Sequence, residues 1–130
     1  MPKNVSVAII GGGRTGTPLL EEILKYSYIH VVGVADLNPA ASGIKIAAEK
    51  GIFTTSDPMT LVRKGEEIDI LIEVSGDTSL KKTIKEYFEM SGNKKTIIMH
   101  DLIARLFISV CTHQNLLIPT MHPNDIGIGS

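Results

Sequence analysis

Apolar and polar residues along this chain form two kinds of segment that alternate. Short, continuous apolar runs of strand length are separated by longer segments in which apolar residues recur every three or four positions, the spacing of an amphipathic helix. Glycine, proline, asparagine and aspartate punctuate the boundaries. The predicted strands cover residues 5–10, 29–35, 52–54, 68–74 and 96–99. The predicted helices cover residues 15–26, 39–50, 58–65, 78–90 and 101–114.

Capping residues predict where several of these helices begin. Asn38 is expected to cap the second helix, with Pro39 at its first position, because proline has no N–H to lose there. The third helix is expected to open at residues 56–58 (Ser-Asp-Pro). The fourth is expected to follow a cap at Asp77 or Thr78.

Strand and helix alternate five times, which predicts an α/β fold: a doubly wound, Rossmann-like parallel sheet of about five strands with helices on both faces. Right-handed crossovers leave 3-2-1-4-5 as the simplest strand order. A length of 130 residues fits one domain. We expect residues 1–118 to form that domain. Residues 119–130, which contain two prolines and two glycines, are expected to form an irregular tail.

Composition narrows the function classes. The net charge of −1 gives no electrostatic reason to expect nucleic acid or a membrane surface as a partner. A single cysteine, Cys111, excludes an intramolecular disulfide, and the four histidines lack metal-ligand spacing, so no metal is expected. The first residues lack a signal peptide's apolar stretch, and no apolar run reaches membrane-spanning length. The cytoplasm is therefore the expected compartment.

A glycine-rich loop follows the first predicted strand. Gly11, Gly13 and Gly16 spell G-x-G-x-x-G between that strand and the first helix, which is where a dinucleotide-binding loop lies. Gly11 allows a tight turn, Gly13 lets the backbone approach a pyrophosphate, and Gly16 lets the helix pack close to the strand. The N–H groups of the first helical turn would face the phosphates.

Asp36 is the second part of the predicted site. It ends the second strand, 20 residues after Gly16, where a carboxylate can accept hydrogen bonds from the hydroxyls of an adenosine ribose. The same charge would repel a 2′-phosphate, and neither Leu37 nor Asn38 supplies a compensating positive charge. NAD is therefore favoured and NADP is less favoured. Three alternatives stay open: a tight turn beside a surface aspartate, S-adenosylmethionine, whose enzymes normally need seven strands, and a flavin or adenylate ligand.

Three segments taken together carry a family resemblance: residues 11–16 (G-G-G-R-T-G), 33–39 (G-V-A-D-L-N-P) and 69–79 (D-I-L-I-E-V-S-G-D-T-S). They resemble the NAD-binding half of the glucose–fructose oxidoreductase and inositol dehydrogenase family, and the cofactor domains of homoserine and aspartate dehydrogenases. The resemblance covers residues 4 to about 100. It implies that the pyrophosphate is lined by Gly11, Gly13, Arg14, Thr15 and Gly16. It implies that Asp36, with Leu37 beside it, holds the adenosine ribose, and that the nicotinamide ribose is bordered by Val74, Ser75, Gly76 and Asp77.

Two departures from that family bear on catalysis. In its sugar-oxidising members the fifth strand ends in Glu-Lys-Pro, whose lysine helps catalysis, whereas here His100 and Asp101 follow Met99. Those enzymes also use a second domain to bind substrate and to dimerise. Residues 99–107 resemble instead the end of small Rossmann modules joined to sensory domains in bacterial signalling proteins.

Two functional hypotheses follow, and whether the chain is an enzyme stays open between them. In the first, the chain is a minimal Rossmann module that binds NAD(H), either as a ligand- or redox-sensing domain or as the cofactor half of an oxidoreductase. In the second, it is a complete NAD-dependent dehydrogenase for a small sugar, hydroxy acid or amino acid, with its site at a dimer interface.

Catalytic residues are not identified, and His100 is a candidate. It lies at the carboxyl edge of the predicted sheet, where it could shuttle a proton near the nicotinamide. The simpler interpretation is that His100 ends the strand and Asp101 caps the next helix. The side chain of Glu73 is expected to point to the opposite side of the strand from Ile72 and Val74. Because a buried, unpaired carboxylate is costly, we expect it to contact the cofactor edge, a second subunit or a nearby lysine.

The last predicted helix has more apolar surface than one sheet face covers. A one-sided helix needs an apolar stripe of roughly 100°. Here the apolar positions are Leu102, Ile103, Leu106, Phe107, Ile108, Val110 and Cys111. The excess predicts a partner surface, either a homodimer or a second domain packed on this helix.

Overall fold

A computed structural model of the chain describes residues 3–120 and residue 122. These residues contain five strands and five α-helices in strict alternation. The strands are β1 Val5–Ile10, β2 Ile29–Ala35, β3 Thr54–Thr55, β4 Ile70–Glu73 and β5 Ile97–Met99. The helices are α1 Gly16–Ile23, α2 Ser42–Glu49, α3 Pro58–Val62, α4 Thr78–Ser91 and α5 Asp101–Cys111, with a short 3-10 helix at Gly65–Glu67.

The strands form one parallel sheet in the order β3-β2-β1-β4-β5. This confirms the predicted doubly wound α/β fold and its strand order. In the register of the sheet, Ile10 lies between Ala35 on β2 and Glu73 on β4. The carboxyl ends of the three central strands therefore meet at one edge, where this fold binds ligands.

The core has two parts, one on each face of the sheet. Val7 and Ile9 of β1 belong to a cluster with side chains of α1, α2 and α5. Ala8 and Ile10 belong to a second cluster with side chains of α3 and α4. Alternate residues of the central strand thus point to opposite, covered faces, which explains why residues 7–10 form a continuous apolar run.

The predicted start of the second helix is wrong. Residues 38–41 form a turn, and α2 begins only at Ser42. The reason is local: the Asn38 side chain accepts a hydrogen bond from the N–H of Ala40 at 3.0 Å, and this bond stabilises a turn in place of a first helical turn.

Other boundaries differ by a few residues or agree. Helix α1 ends at Ile23 and α5 at Cys111, each three residues before its predicted end. The predicted opening of α3 at residues 56–58 and the predicted cap of α4 are confirmed: Asp57 accepts from the N–H of Met59, and Asp77 accepts from the N–H of Ser79.

The predicted division into a domain of residues 1–118 and an irregular tail stays a prediction. Residues 121 and 123–130 of that tail lie outside the described residues. Thr120 and His122 are described, and neither is in a helix or strand.

Candidate functional site

The glycine loop between β1 and α1 is closely packed. The N–H of Gly11 donates to the carbonyl of Ala35 at 2.8 Å, and Gly11 has a φ of +108°, which favours glycine. A Cβ at Gly11 would lie 2.9 Å from the backbone nitrogen of Ser75, and one at Gly16 would overlap the carbonyl oxygen of Gly11. The predicted tight turn at Gly11 and the close helix packing at Gly16 are both present.

Gly12 connects this loop to two neighbouring elements. Its N–H donates to Oδ2 of Asp36 at 2.7 Å. Its carbonyl accepts from the N–H of Gly43 at 2.9 Å and from the hydroxyl of Thr17 at 2.8 Å. A Cβ at Gly43 would lie 2.9 Å from the Cα of Gly12. The loop is therefore attached both to the end of β2 and to the start of α2.

Gly13 differs from the other two motif glycines. A Cβ placed there would have no protein atom within 4 Å. The space beside Gly13 is open, although the loop around it is tightly packed. This is the arrangement expected where a ligand, and not the protein, needs the room.

A cavity of about 370 Å³ opens at this point of the sheet edge. Its lining brings together most of the predicted site: Gly11, Gly13, Arg14, Thr15, Asp36, Val74 and Ser75, with His122 added. Four predicted residues remain: Gly16 begins α1, Gly76 packs against the His122 side chain, and Leu37 and Asp77 line an adjoining cavity.

An adjoining cavity of about 190 Å³ shares Gly11, Asp36 and Ser75 with the first. Its other walls are mainly apolar and include Leu37, which is 78% exposed, together with Pro58 and Leu80. Such a slot suits a flat, largely apolar ring. The sequence placed Leu37 at the site but gave no signal for Pro58 or Leu80, which come from α3 and α4.

Asp36 has two backbone partners. Oδ2 accepts from Gly12, and Oδ1 accepts from the N–H of Asn38 at 2.8 Å. Each carboxylate oxygen has more than one lone pair, so both can accept a further hydrogen bond from a ligand hydroxyl. The sequence predicted only the ligand-facing role of this side chain.

Glu73 lies at the end of β4, fully buried. As predicted, it points to the opposite side from Ile72 and Val74, because side chains alternate along a strand. Its Oε1 accepts from the N–H of Ser75 at 2.9 Å and from the Ser75 hydroxyl at 2.5 Å. Its Oε2 lies 3.9 Å from Nδ1 of His100. The carboxylate therefore fixes the turn that carries Ser75 into the cavity.

The residues after β5 are arranged differently from the prediction. His100, and not Asp101, occupies the capping position of α5, and its side chain makes no capping hydrogen bond. Asp101 is 4% exposed and pairs with Nε of Arg105 at 2.7 Å, one helical turn further along. His100 is not among the described residues that line the cavity, and its proton-shuttle role stays a hypothesis.

Two residues of this region were missed by the sequence interpretation. Lys81 is only 2% exposed, on the same face of α4 as Ile84 and Phe88. Lys81 lies three residues before Ile84 and seven before Phe88, and this helical spacing is the sequence signal that indicates a buried position for the lysine. His122 reaches the cavity from the segment after α5, and no local pattern indicates that position.

Several site classes are not found among residues 3–120 and 122. No group of three or more histidine, cysteine, aspartate or glutamate side chains there could hold a metal ion. In that part of the chain no helix is long and apolar enough to cross a membrane.

Sequence comparison relates the chain to acetaldehyde dehydrogenases only over part of their length. The chain matches no protein-family model. It is 35% identical over 65 residues to acetaldehyde dehydrogenase 1/2 of Rhizorhabdus wittichii, covering 49% of this chain and 21% of that protein. It is 30% identical over 86 residues to acetaldehyde dehydrogenase of Geobacillus genomosp. 3, covering 65% of this chain and 28% of that protein. The chain thus spans about a quarter of these relatives.

Solved structures share the fold. GenD2 from gentamicin A biosynthesis, in complex with NAD, has a TM-score of 0.59 at 14% identity, covering 85% of this chain and 32% of that one. Apo scyllo-inositol dehydrogenase from Lactobacillus casei has a TM-score of 0.57 at 18% identity, covering 95% and 35%. Homoserine dehydrogenase of S. aureus has a TM-score of 0.58 at 11% identity, covering 85% and 30%. The resemblance to inositol and homoserine dehydrogenases is confirmed at the level of the fold.

Proposed function

We propose that this chain is an NAD(H)-binding Rossmann module. The observation that carries the proposal is the convergence of the glycine loop and Asp36 on one cavity at the carboxyl edge of the sheet. The comparisons support it, because the fold is shared with GenD2, which was solved in complex with NAD, and part of the sequence is shared with acetaldehyde dehydrogenases.

The residues present fit a dinucleotide. The open space beside Gly13 accommodates the pyrophosphate, with the N–H groups at the start of α1 directed towards its charge. Arg14 and Thr15 line the same cavity. Asp36 accepts hydrogen bonds from the adenosine ribose, while the apolar slot beside Leu37 takes the adenine ring.

The nicotinamide half lies towards β4. Val74 and Ser75 line the cavity there, and Gly76 follows them at the sheet edge. We assign the nicotinamide ribose to this side, because a ligand whose adenosine lies at β2 and whose phosphates lie at β1 must continue towards β4. NAD, when bound, would supply a hydride acceptor at this end of the cavity.

NAD is preferred to NADP in this proposal. Asp36 is a carboxylate placed where the 2′ position of the adenosine ribose would lie, so a 2′-phosphate would meet a like charge. The next residues along the chain, Leu37 and Asn38, are uncharged.

We favour two forms of this module over a self-sufficient dehydrogenase. It either binds or senses NAD(H) by itself, or it is the cofactor half of an oxidoreductase. Among the described residues, the cavity lining offers Ser75 and His122 but no thiol. Cys111 is half-buried in a groove between α1 and α5, lined also by residues from the amino ends of β1 and β2. The acetaldehyde dehydrogenase matches make a complete NAD-dependent aldehyde dehydrogenase, with its substrate site at a dimer interface, the second candidate.

Calorimetric titration tests the cofactor assignment. The chain is expected to bind NADH more tightly than NADPH. Failure of NAD, NADH and NADPH to bind at millimolar concentration would contradict the proposal. Reduction of NAD by this chain alone, with acetaldehyde or with a panel of sugars and amino acids, would instead favour the dehydrogenase alternative.

We also propose that the outer face of α5 packs against a second copy of the chain. Five large apolar side chains there are between 38% and 65% exposed: Leu102, Ile103, Leu106, Phe107 and Val110. One of these five side chains, Phe107, also borders an apolar groove of about 390 Å³ together with Cys111. A contiguous apolar surface of this kind is typical of an interface. Packing of α5 against a second domain is the alternative to the dimer.

A cytoplasmic location of the protein stays a prediction.

A further inference from the structure

His122 lies directly against the turn that follows β4. Its imidazole occupies the space that a Cβ at Gly76 would fill, and Gly76 has a φ of +81°. The same side chain lines the cavity together with Gly13, Arg14 and Ser75. A residue far along the chain thus forms part of the wall of the proposed cofactor site.

A chain of hydrogen bonds holds His122 in that place. The N–H of His122 donates to the hydroxyl of Thr120 at 3.0 Å. That hydroxyl donates in turn to Oδ2 of Asp101 at 3.2 Å, and the same oxygen accepts from Nε of Arg105 at 2.7 Å. The pair of the buried Asp101 with the half-buried Arg105 therefore anchors the segment that carries His122 to the first turn of α5.

The same segment is attached at a second point. Nη1 of Arg105 donates to the carbonyl of Ile118 at 3.0 Å. The N–H of Ile118 donates to the Ser109 hydroxyl, also at 3.0 Å. Arg105 is a suitable anchor, since its planar guanidinium can donate to a carboxylate and to a backbone carbonyl at once. Two attachments on one helix fix the direction in which the chain runs back to the cavity.

The strand order decides which part of a dinucleotide His122 can meet. Asp36 follows β2, the glycine loop follows β1 and Gly76 follows β4, and these strands are neighbours in that order. A ligand that places its adenosine at Asp36 and its phosphates at Gly13 reaches Gly76 only with its second nucleotide. His122 is on that side.

We propose that His122 binds the nicotinamide-ribose half of the dinucleotide, through a hydrogen bond from its imidazole. The inference rests on the proposed function, since it assumes that NAD(H) occupies the cavity. His122 is then part of the cofactor site, and the Asp101–Arg105 pair with Thr120 is its positioning element.

The test compares ligands that end at different points along the site. Binding of ADP, ADP-ribose and NADH is measured by calorimetry for the unsubstituted chain and for His122→Ala. The affinity for NADH and ADP-ribose is expected to fall about tenfold, the effect of one lost hydrogen bond, whereas ADP binding changes less than about twofold. His122→Gln retains a hydrogen-bond donor and is expected to recover part of the loss.

Two further variants separate positioning from general destabilisation. Thr120→Val removes both hydrogen bonds of that hydroxyl and is expected to reproduce the selective loss for NADH and ADP-ribose. His30→Ala is the matched control, because His30 is an exposed histidine near the amino end of β2. It should bind all three ligands as the unsubstituted chain does.

The outcomes distinguish the two proposals. Equal NADH affinity for His122→Ala and the unsubstituted chain would overturn the role of His122 while leaving cofactor binding intact. Equal losses for ADP and NADH would also overturn it, since the contact would then be to the diphosphate. If the unsubstituted chain binds neither NADH nor ADP, the proposed function itself is overturned.

Discussion

The carboxylate of Asp36 accepts the backbone N–H of Gly12 at 2.7 Å, which joins the end of β2 to the loop that follows β1. Its second oxygen accepts from Asn38 at 2.8 Å. One side chain therefore shapes the glycine loop and also presents a negative charge to the cavity. Substitutions at this position should affect both stability and ligand choice.

Replacing Asp36 by alanine is expected to weaken NADH binding about tenfold or more, because a charged hydrogen-bond acceptor for the ribose is lost. NADPH binding should fall less, since the repulsion of its 2′-phosphate is removed as well. Calorimetric titration with the two cofactors measures the difference. An equal loss for both would remove the ribose role from Asp36.

The same variant should also unfold more easily, by about 1–3 kcal/mol, because the N–H groups of Gly12 and Asn38 lose their acceptor. Denaturant unfolding measures this change. Asp36→Asn is the control that keeps one acceptor oxygen without the charge, so its stability should fall less than that of the alanine variant.

Gly13→Ala should separate binding from folding. A methyl group there meets no protein atom within 4 Å, and Gly13 has no positive φ, so the free energy of unfolding should change by less than about 1 kcal/mol. NADH affinity should fall at least about tenfold, because the methyl group occupies the proposed phosphate space. Unchanged NADH affinity would contradict the assignment of this space to the pyrophosphate.

Gly16→Ala is its counterpart within the same motif. The added methyl group would overlap the backbone carbonyl of Gly11, which cannot move without disturbing β1. We expect a loss of about 3 kcal/mol in the free energy of unfolding, measured by denaturant titration. Stability equal to that of Gly13→Ala would contradict the described loop packing.

Asp77 should make the stability of α4 depend on pH. Its pKa is lowered below the usual 3.8, first by the hydrogen bond from the Ser79 hydroxyl and then by the N–H of Leu80. Asp77→Ala should cost about 1 kcal/mol at neutral pH, as for a lost helix cap. Thermal unfolding of both chains across the acid range measures the effect.

The sign follows from the lowered pKa. The stabilisation by Asp77 is fully present above pH 3.8, the usual carboxyl value, and is lost as the pH falls through the lower folded-state pKa. The Asp77→Ala variant and the unsubstituted chain should therefore have equal stability only at strongly acid pH. Asp77→Asn keeps a capping oxygen and should stay close to the unsubstituted chain at neutral pH.

Leu106→Lys tests the proposed interface on α5. Leu106 is 49% exposed in the middle of the apolar face, and a charge there should raise the dimer dissociation constant at least about tenfold. Sedimentation velocity at micromolar concentration measures the effect. Met90→Lys on α4 is the control, since Met90 is 87% exposed and lies outside that face. A monomeric unsubstituted chain would contradict the dimer.

The central strands and their order were predictable because their physical causes are local. Continuous apolar runs identify strands buried on both faces, as the alternation of Val7 and Ala8 between the two cores shows. The start of α2 was not predictable from Asn38 and Pro39 alone. There the Asn38 side chain and its N–H both make hydrogen bonds that favour a turn, the second of them to Asp36.

The glycine loop and Asp36 were predictable because motif and spacing encode them. His122 was not, since its position depends on bonds to residues of α5 that no sequence periodicity reveals. Asp101 illustrates the same limit: at a helix start an aspartate is normally read as a cap, but here it accepts from Arg105 and Thr120. Tertiary partners decided both cases.

The contact between Gly12 and Gly43 ties the glycine loop to α2. The N–H of Gly43 donates to Gly12, and the two backbones approach too closely for a side chain at Gly43. Local unfolding of α2 should therefore open the loop as part of one cooperative unit. Amide hydrogen exchange at Gly43 would then report occupancy of a site that Gly43 does not itself line, slowing when a dinucleotide holds the loop closed.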